Sequence, residues 1–236
     1  MCCAMNKEPD PVYQLNSVHK VFPENKGPVR ILQDISFTVR AGESIAIVGS
    51  SGCGKTTLLQ MMAGLDTPSS GEIIFRGENL QHLDWDAKSR LRNEGIGFVF
   101  QFHHLLPEFT TVENVSLPAM IRGEYKQDAL DRASRALERT GIIRQAHQQV
   151  STLSGGERQL TSIARAISLE PEVILADEPT GDLDPENGER VADLLIHQSR
   201  ILRSTLVVVT HNHHLAGKMD RILGISSGEI HDYTHA

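Results

Sequence analysis

The chain has 236 residues and a formal net charge of −7 at neutral pH, with 39% hydrophobic and 22% charged residues. That is ordinary globular composition, long enough for one large domain with a substantial α/β interior. The acidic balance argues against a general nucleic-acid binder, and no apolar run approaches the roughly 20 residues that span a bilayer. Residues 1–11 lack the apolar core of a signal peptide, so the expected location is cytoplasmic. Cys2 and Cys3 are adjacent and Cys53 lies in a glycine-rich loop, which is neither a disulfide framework nor a CxxC zinc pattern.

After the tail over 1–11, the segments VYQLNSVHKVF, VRILQDISFTV and GEIIFRG alternate partly between apolar and polar, with turn residues between them. They read as a small antiparallel sheet. Before the third lies SIAIVG, Ser44 to Gly49, an apolar run of buried-strand type, then a glycine-rich loop and KTTLLQMMAGL. The loop joins a strand to a helix, and Gly49, Gly54, Lys55 and Thr56 satisfy GxxxxGK[ST]. Such a backbone wraps a phosphate chain with its N–H groups pointing inward, and the following helix adds its positive end. Gly49, Ser50, Ser51, Gly52, Cys53, Gly54, Lys55, Thr56 and Thr57 therefore form a candidate cradle. Lys55 suits the β/γ-phosphates and the Thr56 hydroxyl suits Mg2+. A chance match is the competing reading, weakened by the strand before and the helix after.

LDWDAKSRLRNE carries Trp85, read as helix packing in the core or an interface anchor rather than a ligand contact. FVFQFHHLLPEF follows, with His103 and His104 adjacent. On a helix they would diverge by about 100° and could not easily share a metal. From Leu105 to Ile142 the pattern turns helical. Thr110-x-x-Glu113 fits a capping box, and Tyr125 to Thr140 places Leu130, Ala133 and Leu137 on one face, with Gly141 as the stop. LSGGERQ, Leu153 to Gln159, holds a second capping box at Ser154 and Glu157. Gly155 and Gly156 bare the backbone there, which makes a second helix start suited to an anion. An ordinary helix start is the competing reading.

The remainder alternates: VILAD, a helix over Glu186–Leu202, TLVVVT, a short helix and RILGIS. That alternation implies a parallel sheet with covering helices, and hence an α/β core interrupted by a mostly helical insert at about 103–165. Asp177 and Glu178 end a buried strand, where ligands of parallel sheets bind. Asp177 suits an outer-shell Mg2+ role and Glu178 the polarisation of an attacking water, against the alternative of an exposed acidic turn. His211, His213 and His214 form HxHH, but no nearby cysteine or carboxylate set completes a tetrahedral shell. His82, His147, His197, His231 and His235 have no evident partners.

Taken together, these strings resemble the ATPase subunits of ABC transporters across essentially the whole chain. Gly49–Thr56 resembles the Walker A loop, Val173–Glu178 the Walker B strand, LSGGERQ the signature motif and Gln101 the Q-loop glutamine. Gly181–Asp184 resembles the D-loop, His211 the switch histidine and Phe22 the aromatic that stacks on adenine. The resemblance implies an ABC ATPase fold: a RecA-like P-loop core with an antiparallel β subdomain over 12–102 and 166–236, and a helical subdomain over 103–165. It also implies ATP and Mg2+ as cofactors, with Glu178, His211, Gln101 and Lys55 catalytic and Thr56, Gln101 and Asp177 at the metal. A head-to-tail homodimer would sandwich ATP between one phosphate loop and the other chain's Ser154, Gly155, Gly156 and Asp184.

Within the family, FHHLLPEF and LADEPTGDLD most resemble the branch that powers lipoprotein release from the inner membrane through separate membrane subunits. Division regulators and macrolide exporters are the alternatives, and a P-loop kinase would leave LSGGERQ without a role. His103, His104, Leu105, Leu106 and Phe109 would read the membrane partner. Cys53, Leu160, Asp182 and Asn212 depart from the usual serine, arginine, asparagine and aspartate, and none of these changes removes a catalytic group.

Overall fold

The computed structural model describes residues 11–23 and 27–233; Cys2, Cys3 and His235 lie outside the described residues. Two long strands, β1 (Pro11–Phe22) and β2 (Val29–Arg40), pair antiparallel. With β4 (Ser70–Phe75) and β5 (Glu78–Asn79) they form a four-stranded sheet in the order β2-β1-β4-β5. This is the antiparallel sheet expected from the alternating segments. A second sheet contains β3 (Ser44–Gly49), β6 (Ile96–Val99), β7 (Val173–Asp177), β8 (Thr205–Thr210), β9 (Arg221–Ser226) and β10 (Glu229–Asp232). Its order is β10-β9-β3-β8-β7-β6, parallel from β9 to β6, with β10 antiparallel at one edge.

The central strands are apolar on both faces because both are covered. Ala46, Ile174, Ala176, Leu206 and Val208 point into one cluster with Ile163, Val191 and Leu195. Their neighbours Ile45, Ile47, Leu175, Val207 and Val209 point into the other, with Tyr13, Leu58, Met62 and Phe75. The period-2 alternation of a strand thus feeds two cores from one run of residues. The second core lies against helix α1 (Lys55–Met62) and the antiparallel sheet, where the Tyr13 hydroxyl donates to the Met62 carbonyl over 2.9 Å.

Helix α2 (Trp85–Gly95) leads into β6, and α3 (Thr111–Ile121), α4 (Lys126–Thr140) and α5 (Gly155–Ile167) pack on one another between β6 and β7. After β7 come α6 (Pro185–Leu202) and the short α7 (His213–Ala216). Gly97 of β6 lets α5 approach closely: a Cβ there would lie 2.3 Å from the Ala166 carbonyl oxygen. Both capping boxes form.

Two expectations change. The stretch read as helical from Leu105 is irregular until Thr110 caps α3, and the run divides again after Ile121. Just before it, His103 and His104 take left-handed backbone angles, φ 57° and 46°. Trp85 is not in the core but 65% exposed, with the Arg92 guanidinium 5.2 Å from its ring. It is the first residue of α2, directly after the Asp84 cap.

The Glu113 carboxylate accepts from the Thr110 N–H and hydroxyl, which hold its pKa below the ordinary 4.5. A depressed carboxyl stabilises the fold above its unfolded value and loses that contribution as pH falls through the lower folded value. Thr110→Ala should therefore cost about 1 kcal/mol at neutral pH, with the difference shrinking below pH 4.5. Urea titrations across that range check it.

Candidate nucleotide site

The loop after β3 curls because Gly54, the N-cap of α1, sits at φ 101°, a conformation open to glycine. A Cβ at Gly54 would also lie 2.7 Å from Ile31 Cγ2 and 2.8 Å from Leu32 Cδ2. The loop opens onto a cleft of about 560 Å³. Phe22 and Ile31 of the antiparallel sheet form one wall, and Gly49, Ser50, Ser51, Gly52, Gly54, Lys55, Thr56 and Thr57 the floor. Gln101, Glu178 and His211 close it from the ends of other strands.

Lys55 is buried, its Nζ donating to the carbonyls of Gly49 (2.9 Å) and Ser50 (3.1 Å). It forms part of the loop that it would help to serve. Thr56 Oγ1 donates to Asp177 Oδ1 over 3.0 Å. Asp177 is buried, and its pKa is raised, first by desolvation and then by the neighbouring Glu178, against the opposing Thr56 bond and Lys55 charge. A buried carboxylate under that pressure beside a hydroxyl, both hard oxygen donors, suits a divalent cation.

Glu178 has φ 43°, left-handed for a side chain with a Cβ, and three contacts hold it. Its Oε2 accepts from Thr210 Oγ1 (3.1 Å) and the His211 N–H (3.3 Å), and its Oε1 lies 2.9 Å from His211 Nδ1. The carboxylate is only 10% exposed while the imidazole is 68% exposed, so the pair reaches from the protein interior into the cleft. Such a pair can orient a water and accept its proton.

Not every predicted residue gathers here. The Cys53 side chain does not line the cleft but packs on the second core, and its N–H donates to the Ser50 carbonyl (3.3 Å). Ser154, Gly155, Gly156 and Asp184 line a separate pocket of about 410 Å³ with Asp182 and Asn187. Asp184 caps α6, and Ser154 exchanges hydrogen bonds with Glu157 at the head of α5. His213 and His214 do not join His211 around a common centre; His214 Nε2 lies 3.2 Å from Glu189 instead. Sequence reading missed Ile31 and Thr210. Thr210 could have been suspected, since it precedes His211 at the end of a buried strand; Ile31 carries no such signal.

A match to the ABC transporter family spans residues 32–181. The chain belongs to that family, as one of its ATPase subunits. It is 46% identical over 221 residues to the lipoprotein-releasing system ATP-binding protein LolD of Coxiella burnetii, covering 93% of this chain and 95% of that one. It is 47% identical to the LolD of Nitratidesulfovibrio vulgaris, covering 94% and 95%. Among solved structures it resembles the dimeric post-hydrolysis ATP-binding cassette MJ0796 bound to ADP and Pi. That match has a TM-score of 0.87 and 32% identity, covering 95% of this chain and 99% of that one.

Because Gly54 combines a left-handed angle with a crowded Cβ position, Gly54→Ala should lower stability by about 1–3 kcal/mol. It should also distort the loop enough to weaken nucleotide binding. Chemical denaturation and an ATP titration measure the two effects.

Proposed function

We propose that this chain is the ATPase that powers lipoprotein release from the inner membrane, acting as a homodimer on the cytoplasmic face through separate membrane subunits. Near-full-length identity to the lipoprotein-releasing ATP-binding proteins carries the reading of the cargo. The Glu178–His211–Thr210 constellation at the mouth of the phosphate cleft carries the chemistry.

In this reading Phe22 takes the adenine face and the Gly49–Thr57 backbone takes the phosphates, with Lys55 leaving its loop carbonyls for the β/γ oxygens. Thr56, Asp177 and Gln101 would hold Mg2+, which when bound supplies positive charge against the phosphate oxygens. Glu178 accepts the proton of the attacking water. His211, hydrogen-bonded to it, keeps that carboxylate aimed, and in its imidazolium form offers the Nε2–H as a donor toward the γ-phosphate. Charge on a transferring phosphoryl group is stabilised chiefly by positioned donors and cations, and this site is built of such groups. The second pocket, with Ser154, Gly155, Gly156 and Asp184, serves ATP held by a second copy. The dimeric relative supports that arrangement.

No helix among the described residues is long and apolar enough to cross a membrane. Attachment therefore falls to a surface. Phe102 is 71% exposed, with Leu106 and Phe109 also exposed beside it, and this turn follows Gln101 directly. We assign it, with His103, His104 and Leu105, to reading the membrane subunits.

Glu178→Gln should keep ATP affinity, lower turnover by at least about a hundredfold and trap an ATP-bound dimer on size exclusion. Normal turnover would remove Glu178 from the general-base role. Separately, lipoprotein release from vesicles holding the membrane subunits should require ATP and this chain; release without ATP would sink the transport reading.

A further inference from the structure

Outside the catalytic groups, one lysine head among the described residues is buried in an unusual place. Lys20 is 7% exposed, on β1 two residues before Phe22. Lysine is rarely buried without a partner, and here the ammonium donates to Asp66 Oδ1 over 2.6 Å and to the Thr67 carbonyl over 2.8 Å. The same nitrogen lies 4.8 Å from the centre of the Phe22 ring, within cation–π range. Lys20 does not itself line the cleft, whereas Phe22 does.

The place where this ammonium docks matters. Leu65 and Asp66 donate their N–H groups to the Gln60 carbonyl of α1, so the Asp66 backbone belongs to the end of that helix. Ser69 ties the same segment to β1, its N–H donating to the His19 carbonyl (2.8 Å) and its Oγ accepting from the Val21 N–H (3.0 Å). Helix α1 begins at the phosphate loop. Phe22 is the last residue of β1 and 39% exposed, and the Lys20 ammonium is held against its ring.

We infer that Lys20 is a positioning residue for the nucleotide base, locking the Phe22 ring to the far end of the helix that carries the phosphate loop. The base platform and the phosphate cradle are then referenced to one rigid element, and their separation is set by the Lys20–Asp66 latch. This deepens the reading of Phe22 as the adenine platform and rests on it. The ammonium against the ring also draws π density toward itself, which favours stacking by an electron-rich base on the free face.

The test uses the full chain with magnesium and two probes, ATP and inorganic tripolyphosphate, the second lacking a base. Phe22→Ala should weaken ATP and spare tripolyphosphate. Lys20→Met, which keeps the aliphatic stem, should weaken ATP roughly three- to tenfold, again sparing tripolyphosphate, and Lys20→Arg should restore much of the loss. The double variant should be no weaker than Phe22→Ala alone, because both changes remove one interaction. Should Lys20→Met fold poorly, Asp66→Ala removes the acceptor of the same latch with the lysine in place and should show the same selective loss. If Phe22→Ala weakens ATP while Lys20→Met and Asp66→Ala leave it unchanged, or weaken both probes equally, the latch is wrong and the platform stands. If Phe22→Ala has no effect, the platform reading fails and the latch with it.

Discussion

The parallel register of β3, β8 and β7 is the constraint on which the site depends. Val48 pairs with Thr210 and Val209 with Asp177, so the phosphate loop, His211 and the acidic pair leave the sheet along its carboxyl-terminal edge. The strands themselves are held by burial: every residue of β7 and β8 is inaccessible to solvent or nearly so. A slip of one residue would exchange the two hydrophobic clusters fed by alternate positions, which makes the register costly to change. Everything chemical then follows within a few residues of that edge. Thr56 reaches Asp177, and the Glu178 N–H donates to the Val209 carbonyl over 2.9 Å, turning the chain into its left-handed angle. The cost of that angle is of the order of 1 kcal/mol or more; Thr210 and His211 offset it by fixing the carboxylate where it is needed.

Much of this was legible because it is local. A phosphate loop, a capping box and a carboxylate pair after an apolar strand are each a few consecutive residues; the partners of the carboxylates, Thr56, Thr210 and His211, come from elsewhere in the chain. They survive being read without a fold. The resemblance to ABC ATPases then ordered these pieces into one architecture. What failed was of another kind. Trp85 reads as core because aromatic residues are usually covered, yet its position as the first residue of α2 faces water. The backbone of His103 and His104 could not be read from spacing: their left-handed angles accompany local turn bonds to Phe100 and Phe102 and a guanidinium, Arg165, that lies 61 and 62 residues away in sequence. The Lys20–Asp66 latch joins residues 46 apart, and no spacing rule connects them.

Cys53 is instructive between these cases. Its neighbours in the loop match a phosphate-binding pattern, so its own N–H was counted with theirs. In the fold the loop turns at Ser50 and spends that N–H on a carbonyl, while the thiol packs behind the cradle. A serine and a cysteine are close in size, and a position facing a hydrophobic cluster favours the less polar of the two. The departure from the family pattern is thus accounted for by packing.

Helix α5 spans from the Ser154 pocket to the turn beside Gln101. Its first turn is the glycine-bared Ser154 segment, where the capping box serves the N–H groups of Ser154 and Glu157 and uses neither that of Gly155 nor that of Gly156. Near its last turn the Arg165 guanidinium donates to the carbonyls of His103 (2.5 Å) and His104 (2.7 Å), clamping the turn beside Gln101 and the exposed Phe102. Burial lowers the Arg165 pKa to about 10, still far enough above neutrality that the charge and the clamp persist together. Two consecutive left-handed residues would not hold that shape alone. One helix thus carries both the glycine-bared turn and the clamp.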